Sequence, residues 1–428
     1  MNVSENRPSP TSDLSNTVKG GMKRLTLNRR QMVVGLASAT AAGFAVGRLF
    51  NRAARPKESD FFESAFQYAD SSQTGLFEDE SFFLHDLSSH PESASRLIRI
   101  HEELPNFDGM KFRKVDISGR TFENEADWIE TLSLVHEKSY LKRVSDKIDQ
   151  RDYLTKSRWS PYGGPHARMA AYKAAVGSAE LAQLIGTGKM HNGFALIRPP
   201  SHHAGRDFSG GYCFVNSVAF AAKRAAQAIA QPVLILDLDV HHGDGTENIF
   251  YADPGVSYVS LHQDDWPNTG VLEKIGDAAG RGGNFNLPMP PGLTGASWLE
   301  AMEKFVVPAI EKVRPAMIFV SMGYDTHWRD PQGSMALTVS DQMALVHAVQ
   351  KIADQVCAGR VMYSLEGGYE REATAFGVLN TLRRLVSDGS AAVIDPLGSP
   401  AERGAEEAAG LEKAFRLKLD AARKLHGL

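Results

Sequence analysis

The chain has 428 residues, 43% apolar content, 47 Lys and Arg against 51 Asp and Glu, and a net charge of −4. It is long and apolar enough to bury one large core. Its slightly acidic balance excludes the basic field that nucleic-acid binding requires, and its two cysteines, Cys213 and Cys357, exclude a disulfide framework.

Residues 1–21 are polar and rich in Ser, Thr, Pro and Asn, a composition expected to be disordered. In residues 22–50 the basic stretch Met22–Arg30 precedes the mildly apolar run Gln31–Gly47. Length and flanks suit the basic and apolar regions of a signal peptide better than a membrane span. The pair Arg29–Arg30 resembles a twin-arginine signal, which exports folded proteins. No Ala-x-Ala cleavage site follows, so the segment is read as an export signal or a membrane anchor, with cytoplasmic residence as the alternative. Met22 is a second candidate start. Phe61, Phe62, Phe66, Phe77, Phe82 and Phe83 then crowd one stretch, which marks ordered packing, and one folded domain is placed over 61–395.

Phe194–Ile197 reads as a strand running into Arg198-Pro-Pro-Ser-His-His203. The prolines impose a stiff, extended path and stop a helix from starting, so His202 and His203 sit side by side on a fixed loop. Adjacent histidines on a loop are ordinarily surface residues. Here the small-residue turn Gly210–Phe214 follows, which lets backbone approach a ligand. Imidazole suits general acid–base work near neutral pH when a carboxylate orients it, and Asp237 and Asp244 are the candidate orienters.

Val233–Leu236 is a buried strand that leads into Asp-Leu-Asp-Val-His-His-Gly-Asp-Gly over 237–245. Strand alternation would project Asp237, Asp239 and His241 to one side. Two carboxylates and an imidazole at the end of a buried strand are costly unless a cation sits there; a divalent metal accepts that set, and zinc with an open position is the natural candidate. Ser257–Leu261 is the next strand, ending at His262 and the loop Gln263–Gly270. Asp264 and Asp265 on this loop are either solvated surface or an acidic rim that favours cationic substrates. Ala316–Ser321 leads into Met322–Asp325, offering a third anionic ligand in Asp325, and Val361–Leu365 leads into Glu366-Gly-Gly-Tyr369. There the glycines permit a tight turn that could present the Tyr369 hydroxyl to a carbonyl. Asp395–Pro400 breaks the chain, and residues 396–428 read as a C-terminal helix packed on the core through Leu411, Phe415, Leu419 and Ala422.

Apolar strands alternating with helical stretches predict an α/β fold: a single large domain, mostly parallel multi-stranded sheet with helices on both faces. Ligands in such folds bind at the carboxyl ends of strands, where every candidate residue falls.

The segments Arg198–His203, Gly210–Phe214, Asp237–Gly245, Gly323–Asp325 and Glu366–Tyr369 together resemble the zinc-dependent histone deacetylase superfamily, which includes acetylpolyamine amidohydrolases. The likeness spans about His90 to Leu385, and Leu365–Tyr369 and Gly323–His327 are more similar to class II-like and bacterial members. It implies an arginase/deacetylase-like fold with the catalytic domain over 61–395. Asp239, His241 and Asp325 would hold one catalytic zinc. His202 and His203 would be the tandem histidines paired with Asp237 and Asp244, and Tyr369 the carbonyl-polarising hydroxyl. His202, assisted by His203, would take a proton from water, and His203 would protonate the departing amine. A structural potassium would lie against Asp237, Asp239, His241, Ser260 and Leu261, and Gly211, Tyr212 and Trp266 would line a substrate tunnel. Trp266 departs from the smaller aromatics usual at its position, and Asn268 stands where Gly is usual. The implied substrates are acetyl-lysine or small acetylated amines, with homo-oligomerisation left open. Two other classes remain as alternatives: a dimanganese ureohydrolase-like enzyme, and a catalytically weak acyl-amine binding protein.

Overall fold

The computed structural model describes residues 64–157, 159–387 and 391–428. The segments 1–21 and 22–50, with Phe61 and Phe62, lie outside the described residues. Eight strands are described: β1 (Thr74–Phe77), β2 (Arg113–Lys114), β3 (Asn192–Ala195), β4 (Val233–Asp237), β5 (Val256–Gln263), β6 (Asn284–Met289), β7 (Ile318–Met322) and β8 (Val361–Leu365). They form one sheet in the order β2-β1-β3-β8-β7-β4-β5-β6, with every pairing parallel. The central strands β4, β7 and β8 read VLILD, IFVSM and VMYSL and are buried throughout. Such unbroken apolar runs are what a parallel sheet covered on both faces selects.

The covering helices follow from their sequences. Ala167–Gly186 (α1) buries a series of alanines whose small side chains admit close packing against Ser217–Ile229 (α2) and the sheet. Asn216 caps α2 by accepting from the Ala219 N–H. Val339–Cys357 (α3) opens with a capping box between Thr338 and Asp341. It packs beside Arg371–Val386 (α4). The C-terminal helix Ala405–His426 (α5) lies against the edge strand β6, burying Phe415, Leu419 and Ala422. The His426 ring stacks on Phe285 of β6 at 4.4 Å between centroids. Covering an edge strand in this way removes a row of groups that could pair with another chain. Phe66, Phe77 and Phe82 enter the core, as the clustering of phenylalanines before β1 and around it implies.

Strand limits shift slightly from the sequence expectation. β3 begins at Asn192 and leaves the ladder at Leu196, ahead of Pro199 and Pro200, which have no N–H to give. β5 runs on to Gln263, so His262 is a strand residue. Register aligns the carboxyl ends: Asp237 pairs with Ser260 and Ser321, and Ser364 with Ser321 and Ala195. The loops leaving β3, β4, β5, β7 and β8 therefore issue from one edge of the sheet. Among the described residues no helix is long and apolar enough to cross a membrane.

Phe415 is the largest apolar side chain that α5 buries completely. Phe415→Ala should cost about 3–5 kcal/mol, seen as a lower denaturant midpoint with little change in slope.

Candidate metal centre and histidine pairs

β4 ends at Asp237, so Asp239 and His241 lie beyond the strand rather than on its face. The two-residue step is kept by another device. Asp237 Oδ1 accepts from the Asp239 N–H at 3.1 Å, and Asp239 Oδ1 accepts from the His241 N–H at 2.9 Å. Short carboxylates that bond backbone two residues on make this turn locally favourable.

Asp239, His241 and Asp325 converge so that their donor atoms lie within 4.8 Å of one another. His241 Nδ1 stands 3.2 Å from Asp239 Oδ1 and 3.5 Å from Asp325 Oδ2. The outer oxygens are held by backbone: Asp239 Oδ2 accepts from Gly367 N–H at 2.8 Å, and Asp325 Oδ1 from Val240 N–H at 3.1 Å. Asp325 Oδ2 is buried with no hydrogen-bond partner. An orphaned carboxylate oxygen in the interior is costly, and a cation at the convergence point would satisfy it. A Cβ on Gly367 would fall 1.9 Å from that oxygen, so only glycine leaves the space. Electrostatics point the same way. Burial, with Asp239 beside it, pushes the Asp325 carboxyl up to about 6. Burial alone would lower His241, yet the carboxylates of Asp239 and Asp325 beside its ring raise it to about 10. Without a metal the imidazole itself must supply the positive charge, so the donor set fits a divalent ion.

The tandem histidines enter from the β3 loop. His202 Nδ1–H donates to Asp237 Oδ2 at 3.0 Å, and His203 Nδ1–H donates to Asp244 Oδ1 at 2.7 Å. Tyr258 O–H also donates to Asp237 Oδ2, at 2.9 Å. The two rings lie 4.0 Å apart, yet their proton affinities diverge. Burial opposes charge on His202, but Asp237 and Asp239 outweigh it and raise its pKa well above the usual range. Burial lowers His203 to about 4, with the His202 charge adding to the effect and Asp244 only partly offsetting it.

Tyr369 follows the Gly367–Gly368 turn, and its ring packs edge-on to Tyr212 at 5.7 Å. Burial holds its hydroxyl well above the ordinary phenol range, so it keeps its proton at neutral pH. Tyr212 and Trp266 flank the cluster. Trp266 meets the rings of His203 at 4.9 Å and His241 at 5.4 Å. Gly211 has φ +47°, and a Cβ there would strike the His203 ring at 1.9 Å. Asn268 has φ +61°, a left-handed conformation that Asn tolerates better than most side chains, which accounts for its standing where glycine is usual. Ser260 and Leu261, the other residues the likeness assigns to a monovalent cation, lie on β5 beside Asp237. Asp264 is exposed but forms an ion pair with Lys418 of α5, and Asp265 accepts from Gln263 Nε2 at 3.3 Å. Of the two readings left open for this loop, an acidic rim is weakened at Asp264 by a cation from the C-terminal helix.

Several residues that build the site were not singled out from sequence. Glu366 accepts from Ser201 N–H and Oγ–H, both at 2.6 Å, and from His202 N–H at 3.2 Å, pinning the histidine loop to the end of β8. Arg96 donates to the carbonyls of Glu366 (2.5 Å) and Gly368 (2.6 Å). Arg198 is fully buried against Glu92, with Nη2 3.0 Å from Glu92 Oε2. The Trp159 ring lies 5.0 Å from that of Trp266, tilted by 42°. The one signal was Arg96 itself, a charge beside Leu97 on the apolar side of an amphipathic helix, Ser95–Glu103.

A parallel α/β sheet carrying a buried two-aspartate, one-histidine cluster beside two histidine–aspartate pairs is the arrangement of the arginase/deacetylase-like fold. Residues 90–385 match the profile described as the histone deacetylase domain, and the chain belongs to that family. It is 31% identical to histone deacetylase 14, chloroplastic, of Arabidopsis thaliana over 325 residues, covering 72% of this chain and 75% of that one. It is 31% identical to a probable deacetylase of Archaeoglobus fulgidus over 301 residues (70% and 82%). Identity is 35% to the histone deacetylase-like amidohydrolase of Pseudomonas aeruginosa over 271 residues (63% and 70%). The crystal structure of the HDA15 HD domain superposes with a TM-score of 0.67 at 28% identity, covering 82% of this chain and 99% of that domain. The chain is accordingly a member of a family of deacetylases and amidohydrolases.

Asp244 acts on His203 by raising its proton affinity through a hydrogen bond and its charge. Asp244→Asn should therefore move the His203 titration to still lower pH, as followed by NMR of the imidazole ring; an upward shift would contradict the assigned electrostatics.

Proposed function

We propose that the protein is a zinc-dependent deacetylase that hydrolyses the amide of N-acetylated amines. The observation carrying this reading is Asp325 Oδ2, which lacks a hydrogen-bond partner and lies 3.5 Å from His241 Nδ1, beside the His202–Asp237 and His203–Asp244 pairs. Asp239, His241 and Asp325 would hold the zinc, three protein ligands with one position open being the catalytic pattern. Bound there, zinc supplies the Lewis acidity that polarises an amide carbonyl and acidifies water.

The chain's own residues do the remaining work. His203, neutral and with its Nδ1–H held by Asp244, presents Nε2 as the acceptor for a proton from the attacking water. The same Nε2 then returns the proton to the departing amine, with the Asp244 carboxylate supporting the imidazolium between the two events. His202 keeps its proton on account of Asp237 and Asp239 and acts as a fixed positive charge. This division differs from the one expected from sequence, because Asp237 and Asp239, outweighing burial, make His202 the poorer acceptor. Tyr369, protonated, donates to the carbonyl oxygen as negative charge builds on it. Tyr212 and Trp266 provide the apolar wall that excludes water and accepts the methylenes of the amine chain.

Acetyl-lysine in proteins and small acetylated amines both meet these requirements. A zinc-loaded panel of acetyl-lysine peptides, monoacetylated diamines and neutral acetamides is expected to give turnover of at least one class, and absence of turnover on all three would overturn the reading. Asp325→Ala should abolish both turnover and stoichiometric zinc. A variant that still held about one zinc per chain would show that the ligand set is wrong.

A further inference from the structure

The loop that follows Asp325 carries a carboxylate to which no role has been given. Asp330 is only 6% exposed. Its Oδ2 accepts from the backbone N–H of Tyr369 at 2.6 Å and of Glu370 at 2.9 Å, and its Oδ1 accepts from the N–H of Gln332 at 2.9 Å. These bonds are not needed to cap α4, because Glu370 caps that helix with its own side chain, accepting from Ala373 N–H at 2.6 Å. The Asp330 carboxylate is directed instead at the two residues ahead of the helix, one of which is Tyr369.

Two successive N–H groups bonded to one buried oxygen fix the peptide planes on either side of the Tyr369 Cα. From the other direction Arg96 holds the Gly368 carbonyl at 2.6 Å and lies 5.1 Å from the centre of the Tyr369 ring. The same loop also reaches the metal cluster: the Gln332 carbonyl faces His241 Nε2 at 3.3 Å, and the Gln332 side chain accepts from Tyr212 O–H at 3.2 Å. One short segment thus contributes the ligand Asp325, supports the outer nitrogen of the ligand His241 and grips the backbone of Tyr369.

We propose that Asp330 is a positioning residue: its carboxylate sets the Tyr369 hydroxyl at a fixed offset from the Asp239–His241–Asp325 cluster. The inference rests on the role assigned to Tyr369 under the proposed function. A donor to a developing oxyanion acts only if preorganised, and displacement by about 1 Å can cost 10²-fold in rate.

The test uses the full-length, zinc-loaded protein and four variants: Asp330→Ala, Asp330→Asn, Tyr369→Phe and the Asp330→Ala/Tyr369→Phe double. Tyr369→Phe should lower kcat by roughly 10²–10³, and Asp330→Ala by about 10–100-fold with KM nearly unchanged and zinc content intact. Asp330→Asn, which keeps an acceptor oxygen, should recover most of the loss. In the Tyr369→Phe background, Asp330→Ala should add almost nothing, since the hydroxyl it positions is gone. Hydrogen exchange at the Tyr369 and Glu370 amides should quicken in Asp330→Ala while the β4 amides stay protected. A multiplicative loss in the double variant, or a loss confined to KM or zinc, would overturn the proposal. If Asp330→Ala does not fold, Asp330→Glu, which displaces the carboxylate by one methylene, takes its place with the same expectations for kcat and exchange. Absence of turnover in the unmodified protein would count against the functional reading alone. The exchange measurement then decides the positioning role, and unchanged Tyr369 protection would refute it.

Discussion

Four carboxylates, Asp237, Asp239, Asp325 and Glu366, are buried to within 1% of complete at the ends of three adjacent strands, and much of the structure exists to make that tolerable. A buried ionised carboxylate carries a penalty of several kcal/mol unless hydrogen bonds and opposite charge offset it. The offsets are specific. Backbone N–H groups of Asp239, Val240, His241, Gly367, Ser201 and His202 point at these oxygens, because each strand gives way at its carboxyl end to a turn that frees its amides. His202 supplies a positive charge to Asp237. Among these oxygens Asp325 Oδ2 has no hydrogen-bond partner, with the His241 ring nitrogen 3.5 Å away. That oxygen faces the place where a cation is held in the proposed reading.

How much of this the sequence discloses depends on the range of the interaction. The central strands are legible because VLILD, IFVSM and VMYSL have no surface face to disguise. Asp237, Asp239, His241, Asp325 and the tandem histidines are legible because ionisable groups directly after such runs have few inexpensive explanations. The manner of their presentation is less so: the expected pleat is replaced by carboxylate-to-backbone turns, since the ladder ends at Asp237. Arg96 and Arg198 escape notice because their partners are far off in the chain. Arg96 acts on Glu366 and Gly368 across 270 and 272 residues, and Arg198 on Glu92 across 106. No local pattern encodes such a pairing. Glu366 was visible only as the first residue of a glycine turn, and its service to the histidine loop depends on β3 and β8 being neighbours in the sheet.

The C-terminal helix shows the same dependence. Its apolar stripe announces packing, and the structure lays that stripe on β6. The consequence for the site could not be read locally, because Lys418 reaches Asp264, two positions before Trp266 in the loop that flanks the cluster. An exposed ion pair of this kind stabilises little by itself. Its effect is to offset the charge of Asp264 close to Trp266, whose ring lies beside that of Trp159, itself 6.0 Å from the Tyr212 ring.

The sharpest case of context overriding sequence is the histidine pair. His202 and His203 are adjacent, chemically identical, equally buried and each bonded through Nδ1 to an aspartate. Nothing in the dipeptide distinguishes donor from acceptor. The difference lies one layer out. Asp237 stands in the buried row with Asp239 beside it, so His202 experiences two carboxylates, with Nε2 3.8 Å from Asp239 Oδ1. Asp244 opens the helix Asp244–Phe250, partly exposed, where solvent and the positive end of that short helix weaken its pull on His203. Once His202 carries a proton, its charge at 4.0 Å further disfavours protonation of His203. Two like groups in contact cannot both be cations at modest cost, so the first to be stabilised as an acid makes the second a base. The asymmetry between the two rings thus arises from where the two aspartates sit in the fold, and from the repulsion that follows.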